Sequence, residues 1–358
     1  MERAIMLAKR GIGKTNPNPR VGAVIVKDNR IIGEGWHERY GELHAERNAF
    51  ADLKESAEGA DMYVTLEPCC HYGKTPPCTK AIIEHKIARV FIGSRDPNPL
   101  VSGRGAEQLK QAGIEVIQDF MKEECDELNP IFFHYISTGL PYIVMKYAMT
   151  ADGKIAAKTG ASQWITGESS RAVVQKMRTE YMGIMAGIGT VLEDDPLLTV
   201  RKDGDRSPIR IICDSKLRIP PDSRIVKTAD RYRTIIACAV PDTEKKEILE
   251  KAGVQIVSFP DGRGQVDLKA LMRFLGDEKI DSVLVEGGGK LNYSILETGM
   301  VEKIYAFVAP KIFGGTGVRT PVEGEGVCVP DEAVMLRLKS IERIEDDLML
   351  EYICQRRK

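Results

Sequence analysis

Thr65-Leu-Glu-Pro-Cys-Cys-His-Tyr-Gly-Lys-Thr-Pro-Pro-Cys78 places three cysteines, Cys69, Cys70 and Cys78, within ten positions, and His44-Ala45-Glu46 lies upstream of it. One imidazole and two thiolates leave a fourth tetrahedral position open, as a catalytic zinc requires; a structural zinc recruits four protein ligands and would leave Glu46 without a role. Zinc lowers the pKa of bound water towards about 7. Hydrolytic attack on an amino-substituted ring also needs a group that moves protons to the departing nitrogen, and Glu46 is that group. Positions i and i+2 of a regular helix do not face each other. The His-x-Glu pair therefore requires a helix that begins near His44 and carries Glu46 in its first turn. Cys78 similarly precedes a helix, where the positive end of the dipole favours its thiolate.

Around this stretch the first third of the chain alternates strand-like and helix-like segments. Residues 21–27 form an apolar, β-branched run, Asp28-Asn29 a turn, and residues 30–35 the return strand of a hairpin. Helical spacing over 44–55 leads to a strand at 61–66, then a helix at 79–85, a strand at 89–93, a helix at 105–112 and a strand at 114–118. Three consecutive helix–strand pairs imply a largely parallel sheet covered by helices. A charged amphipathic helix over 121–138, punctuated by Gly139-Leu-Pro141, sets a boundary between a domain of residues 1–140 and one of 141–358. The second part repeats the α/β style, with strands near 142–147, 183–186, 209–213, 234–239, 254–259, 282–285, 303–308 and 348–354.

Bulk properties exclude several classes. A chain of 358 residues exceeds what one core usually organises, which agrees with two domains. With 43% hydrophobic and 29% charged residues it is globular, and no stretch approaches about 18 uninterrupted apolar residues. Lys+Arg 51 against Asp+Glu 52 leaves a formal net charge of −1, without the broad positive field that sequence-independent nucleic-acid binding needs. The charged amphipathic N-terminus lacks the apolar core of a signal peptide, and eight cysteines are too sparse for a disulfide framework; the expectation is a cytoplasmic protein without membrane contact.

His-x-Glu with Pro-Cys is the signature of zinc-dependent nucleobase deaminases, although the usual two-residue gap between cysteines is widened here to residues 70–77. The full string 65–78 closely resembles the deaminase half of the bifunctional riboflavin-biosynthesis deaminase-reductases, and the resemblance continues through Arg95-Asp-Pro-Asn-Pro99 and Gly103-Arg-Gly105. It implies a cytidine-deaminase-like three-layer α/β/α domain with zinc on His44, Cys69 and Cys78; Cys70 stands where that family often has serine. Substrate contacts would fall on Asn18, in Asn16-Pro-Asn-Pro-Arg-Val-Gly22, and on His71 and Lys74 in the widened loop.

Past residue 140 no complete Gly-x-Gly-x-x-Gly exists, because Gly187-Ile-Gly189-Thr190 lacks the third glycine, and a Rossmann fold is not supported. Instead a strand at 281–285 runs into Glu286-Gly-Gly-Gly-Lys-Leu291 and a helix through 294–298. Glycines there allow a phosphate to approach free amides at a helix start, and they would equally serve a tight turn without ligand. Lys146-Tyr-Ala-Met-Thr-Ala-Asp-Gly-Lys154, Ser162-Gln-Trp-Ile-Thr166 and residues 187–201 resemble the reductase half of the same family, whose fold is similar to dihydrofolate reductase, so the resemblance covers essentially the whole chain. It implies NADPH contacts at Ala148, Trp164, Thr190, Asp194, Ser215, Gly288, Gly289, Lys290, Leu291, Asn292, Tyr293 and Ser294, and substrate contacts at Ser162, Arg178, Leu197, Arg201 and Glu286. Lys146 would orient the substrate or donate a proton. Arg178 and Arg201 suit a ribose phosphate through bidentate bonds, Trp164 offers a flat apolar wall, and Glu286 can accept from ribose or base. The residues themselves do not distinguish NADPH from NADH.

The resemblance thus implies zinc-dependent deamination of 2,5-diamino-6-(5-phosphoribosylamino)pyrimidin-4(3H)-one, then NADPH-dependent reduction of its ribosyl group to ribityl, by a homo-oligomer associated through the reductase domain. Two rivals are weighed against it. A nucleic-acid or nucleoside deaminase with a C-terminal binding module should carry a basic, aromatic-interleaved face, which the balanced charge and 6% aromatic content oppose. A zinc-stabilised scaffold would leave Glu46 dispensable.

Overall fold

The computed structural model describes residues 1–72, 76–98, 101–201, 206–240 and 243–355. It divides into two compact units, Met1–Gly139 and Leu140–Lys358.

In the first unit the elements are α1 (Glu2–Ala8), β1 (Gly22–Lys27), β2 (Arg30–Trp36), α2 (Ala45–Ala51), β3 (Asp61–Leu66), α3 (Cys78–Glu84), β4 (Arg89–Ser94), α4 (Arg104–Gln111), β5 (Glu115–Ile117), α5 (Lys122–Asp126) and α6 (Pro130–Thr138). Asp28 and Asn29 both hold positive φ, 49° and 57°, the backbone that a tight two-residue hairpin between β1 and β2 demands. The sheet runs β2-β1-β3-β4-β5, antiparallel on the hairpin side and parallel from β3 to β5. Side-chain alternation sorts its two faces. Ala23, Ile25, Met62, Val64, Val90 and Ile92 pack with α2, α3 and α4. On the opposite face Val24 meets Ala4 and Leu7 of α1, and Tyr63 stacks on Phe91. The single helix expected over 121–138 is two. Pro130, at the first position of α6, has no N–H to continue a helix from α5, and Asn129 takes a non-helical conformation between them.

The second unit contains β6 (Tyr142–Thr150), α7 (Glu168–Glu180), β7 (Gly183–Gly187), α8 (Ile188–Asp194), β8 (Ile209–Cys213), α9 (Arg224–Lys227), β9 (Thr234–Cys238), α10 (Thr243–Lys251), β10 (Val254–Ser258), α11 (Leu268–Asp277), β11 (Ser282–Val285), α12 (Gly289–Glu297), β12 (Val301–Ala309), β13 (Leu336–Ile344) and β14 (Asp347–Cys354). Its nine-stranded sheet has the order β10-β9-β8-β7-β11-β6-β12-β14-β13, parallel from β10 to β12 and antiparallel beyond. Ile211, Ile235, Val283 and Val285 face α11 and α12, while Ile184, Ile212, Ile236 and Cys238 face α8, α9 and α10. Strands covered on both faces read as continuous Val/Ile runs, which is why they are visible in sequence. β13 was not anticipated, because eight of its nine residues are exposed and no buried face marks it. The helix expected over 294–298 begins earlier, at Gly289, directly on the glycine run. Among the described residues no helix is long and apolar enough to cross a membrane.

Two candidate active sites

In the first unit His44 caps α2 in extended conformation and Glu46 lies in the helix's first turn, buried at 3% exposure. Cys69 follows the end of β3, and Cys78 is the first residue of α3 rather than a residue before it. Glu67 fixes the connection after β3: its carboxylate accepts from Gly103 N and Ala106 N, both at 3.1 Å. Gly105 packs so closely there that a Cβ would stand 2.2 Å from the Pro68 carbonyl oxygen. Thr79 N donates to the Cys69 carbonyl at 3.2 Å and Cys78 N to the Cys69 sulfur at 3.4 Å. His44 Nδ1 lies 3.5 Å from Cys69 Sγ and 3.4 Å from Cys78 Sγ, and the three ligand atoms all fall within 4.8 Å of one another. Metal–ligand lengths of about 2.0–2.1 Å to nitrogen and 2.3 Å to sulfur set a tetrahedral N···S edge of about 3.6 Å, so the donor set fits zinc in both chemistry and spacing. Cys70 is not part of this cluster among the described residues.

Burial pushes the Glu46 carboxyl up to about 7, with the neighbouring Cys69 charge adding to it. Between the cysteines, a hydrogen bond from Cys78 lowers the Cys69 thiol, and the same bond with burial raises Cys78.

Asn18 is held by a residue that sequence reasoning missed. His37, buried, directs Nδ1 at the Leu43 carbonyl at 2.9 Å, so Nδ1 carries the hydrogen and Nε2 accepts from Asn18 Nδ2 at 3.2 Å. The His37 ring also meets that of His44 edge-on at 5.5 Å. A lone histidine seven positions before the metal motif carries no periodic signal, and only the fold brings it here. The buried Nδ1 of His71 has no hydrogen-bond partner among the described residues. Lys74 lies outside them.

In the second unit, candidate residues gather where β6, β7 and β11 lead out at their carboxyl ends, the usual ligand edge of a parallel sheet. Glu286, immediately after β11, accepts from Arg178 Nε at 2.7 Å and Nη2 at 3.0 Å, and pairs with Lys146 Nζ at 3.1 Å. All three are largely buried. Burial alone would raise the Glu286 carboxyl, but Lys146 and Arg178 together hold it at about 2. The Arg178 fork expected to meet a ribose phosphate is therefore engaged by Glu286, and Arg178 Nη1 donates to the Thr199 carbonyl at 3.1 Å, whereas the Arg201 side chain is exposed.

Gly288 caps α12 without a side-chain bond to the helix's first amides, and a Cβ there would meet nothing nearer than Thr190 Oγ1 at 3.9 Å, so the helix start beside Thr190 is open. That cradle fits a phosphate. Further along, Leu291 belongs to the core, Asn292 is fully buried with Nδ2 on the Pro321 carbonyl at 2.8 Å, and Asn292 N is already bonded to Gly288 O. Gly324 lies against the Tyr293 ring, and Ser294 Oγ donates to Lys290 O at 3.0 Å. Gly289 is buried and the Lys290 side chain exposed. Ser162 Oγ donates to Asp194 at 3.3 Å, and Trp164 is 54% exposed with the Arg171 guanidinium 4.5 Å above its ring. Ala148 pairs with Phe307 of β12. Ser215 Oγ meets Gln265 at 3.1 Å, and the Leu197 carbonyl accepts from Arg210 at 3.4 Å.

The family model of the cytidine and deoxycytidylate deaminase zinc-binding region matches residues 1–94, and that of the RibD C-terminal domain matches residues 141–350. The riboflavin biosynthesis protein RibD of Actinobacillus pleuropneumoniae is 55% identical over 99% of this chain and 94% of its own length. The chain belongs to the RibD family. Solved RibD-family structures superpose over nearly all of it. Acinetobacter baumannii RibD, form 1, has a TM-score of 0.89 at 35% identity, covering 99% of this chain and 97% of that one. A Thermotoga maritima protein described as a diaminohydroxyphosphoribosylaminopyrimidine deaminase/5-amino-6-(5-phosphoribosylamino)uracil reductase has a TM-score of 0.89 at 38% identity with the same coverage. As a RibD-family member the chain is a bifunctional enzyme of riboflavin biosynthesis, a deaminase and a reductase in one polypeptide. Its matched regions imply zinc for the first activity and a nicotinamide cofactor for the second.

Proposed function

We propose that the first unit deaminates 2,5-diamino-6-(5-phosphoribosylamino)pyrimidin-4(3H)-one and that the second reduces the ribosyl group of the product to ribityl with NADPH. The observation that carries the first assignment is the placement of Glu46, buried in the first turn of α2 beside the three clustered ligand atoms of His44, Cys69 and Cys78. Zinc, when bound, supplies the Lewis acidity that makes water nucleophilic near neutral pH. Glu46 takes the proton of the attacking water at its carboxylate and delivers it to the departing amino nitrogen, so that water adds to the ring carbon and ammonia leaves. Asn18, its amide nitrogen held by His37, leaves its carbonyl oxygen to accept from donors on the pyrimidine, and His71 offers the ring nitrogen that has no partner among the described residues.

In the second unit NADPH, when bound, supplies the hydride that reduces C1 of the opened ribose. The backbone amides at the start of α12 and Thr190 hold cofactor phosphate. Trp164, exposed, offers a stacking wall, and the bonded pair of Ser162 and Asp194 offers polar contacts to the cofactor. Lys146 and Arg178, fixed by Glu286, orient the ribose chain; Lys146 Nζ carries protons to donate. Arg201 receives the substrate phosphate. The exposed apolar residues of edge strand β13, Leu336, Leu338 and Ile341, support association of two copies through this unit.

Ammonia release and NADPH absorbance followed together on the diaminopyrimidine ribotide test the reading. Ammonia release followed by NADPH oxidation is expected, with both lost in Glu46→Ala because the reductase is starved. Ammonia without NADPH oxidation would overturn the second assignment, and neither signal would overturn the substrate.

A further inference from the structure

Arg47 follows Glu46 in α2, and its contacts lie with the segment that leads into Cys78. Arg47 Nε donates to the Pro76 carbonyl and Nη2 to the Pro77 carbonyl, both at 3.1 Å. Proline has no N–H, so those two carbonyls are the only backbone hydrogen-bonding groups that Pro76 and Pro77 possess. One guanidinium engages both, a task suited to its rigid fork of donors. The segment entering Cys78 is thereby tied to the helix that carries His44 and Glu46.

The other pairing in the cluster has its own ties. Cys69 and the start of α3 are joined by Cys78 N to Cys69 Sγ at 3.4 Å, by Thr79 N to Cys69 O at 3.2 Å, and by Thr79 Oγ1, 3.3 Å from that oxygen. These bonds hold the two sulfurs together but do not set their distance from the imidazole. Arg47 bridges that remaining gap, between the His44 end of α2 and the residues immediately before Cys78.

We propose that Arg47 is a positioning residue for the metal site, holding Cys78 at ligand distance from His44 by clamping the Pro76 and Pro77 carbonyls. The proposal rests on the zinc reading of the first unit. Bonds of this kind, one layer out from the ligands, typically change metal affinity by about 10–100-fold when removed.

The test uses the full chain. Zinc loss to a chromogenic chelator is measured for the parent, Arg47→Ala and Arg47→Lys, and thermal unfolding is recorded for zinc-loaded and zinc-stripped forms of each. Zinc affinity about 10–100-fold weaker is expected in Arg47→Ala. Arg47→Lys should fall between, since an ammonium can keep one carbonyl but lacks the fork. The stripped forms should unfold together, while the loaded Arg47→Ala protein unfolds earlier than the loaded parent. Equal zinc affinity in the parent and Arg47→Ala overturns the proposal. So does an equal drop in stability of loaded and stripped forms, which would make Arg47 a structural tie only. A parent that takes up no zinc overturns the zinc reading itself, an outcome distinct from both.

Discussion

Glu46 and Glu286 are both buried carboxylates, and their surroundings drive them in opposite directions. Glu46, with a thiolate nearby, is held up at about 7, whereas Glu286, between Lys146 and Arg178, is held down at about 2. The group proposed to move protons and the group that pairs with two cations are thus separated by environment. Glu46→Gln should lower ammonia release by about 10²–10⁴-fold while zinc content, read by metal analysis, stays at the parent value. Glu286→Gln should leave the cations Lys146 and Arg178 buried without a countercharge and destabilise the second unit by about 3 kcal/mol or more, checked by urea unfolding. His44, Glu46 and a cluster of three cysteines were legible from residue type and spacing, because metal and proton chemistry admit few side chains; the choice of Cys69 and Cys78 over Cys70 came from the family resemblance. His37 and Arg47 were not legible, since each acts through hydrogen bonds to partners that the chain pattern does not mark.

At the scale of elements, α2 must lie close on β2 to bring His44 and Glu46 into place. A Cβ on Gly35 would stand 2.3 Å from Ala49 N and 2.4 Å from Ala45 O. Gly35→Ala should therefore push α2 outward, so that zinc retention and deamination fall together while reduction of directly supplied deaminated product persists. In the second unit Arg210 is fully buried with no carboxylate partner among the described residues. It donates to the carbonyls of Ile225 and Tyr232 at 2.9 and 3.1 Å and to the hydroxyls of Thr228 and Thr234 at 2.8 and 2.6 Å. Arg210→Met would remove these donors while the Tyr232 carbonyl keeps its bond from Thr234 Oγ1 at 2.8 Å; the loss should cost about 1–3 kcal/mol for each acceptor left buried and unsatisfied, and calorimetry should show a lower melting temperature. Element reading from sequence worked best where both faces of a strand are covered: β8 and β11 were expected over the residues they occupy. It missed β13, whose exposure removes the apolar alternation, and it merged α5 with α6 across Pro130.

For the whole molecule, two chemistries are carried by two units with separate cores, Met1–Gly139 and Leu140–Lys358. Chelation of zinc should abolish ammonia release yet leave NADPH oxidation intact when the deaminated product is supplied. Acid should act differently. The native Glu286 pKa of about 2 lies below the ordinary 4.5, so its stabilisation is present above about pH 4.5 and is lost as pH falls towards 2. Acid unfolding of the second unit, followed by circular dichroism, should be less steep over that interval in Glu286→Gln than in the parent. The sequence by itself determined the strand–helix alternation, the zinc-type ligand set with its acid/base partner, and the resemblance that named both activities, because periodicity and reactive side-chain types are local properties. Only the tertiary structure decided that Glu286 occupies the Arg178 fork, that Leu291 and Asn292 turn into the core, and that Arg47 clamps the approach to Cys78. Each of these depends on which distant segments the packed sheets and helices bring within hydrogen-bond reach, and that proximity is fixed by burial and hydrogen-bond satisfaction over the folded unit.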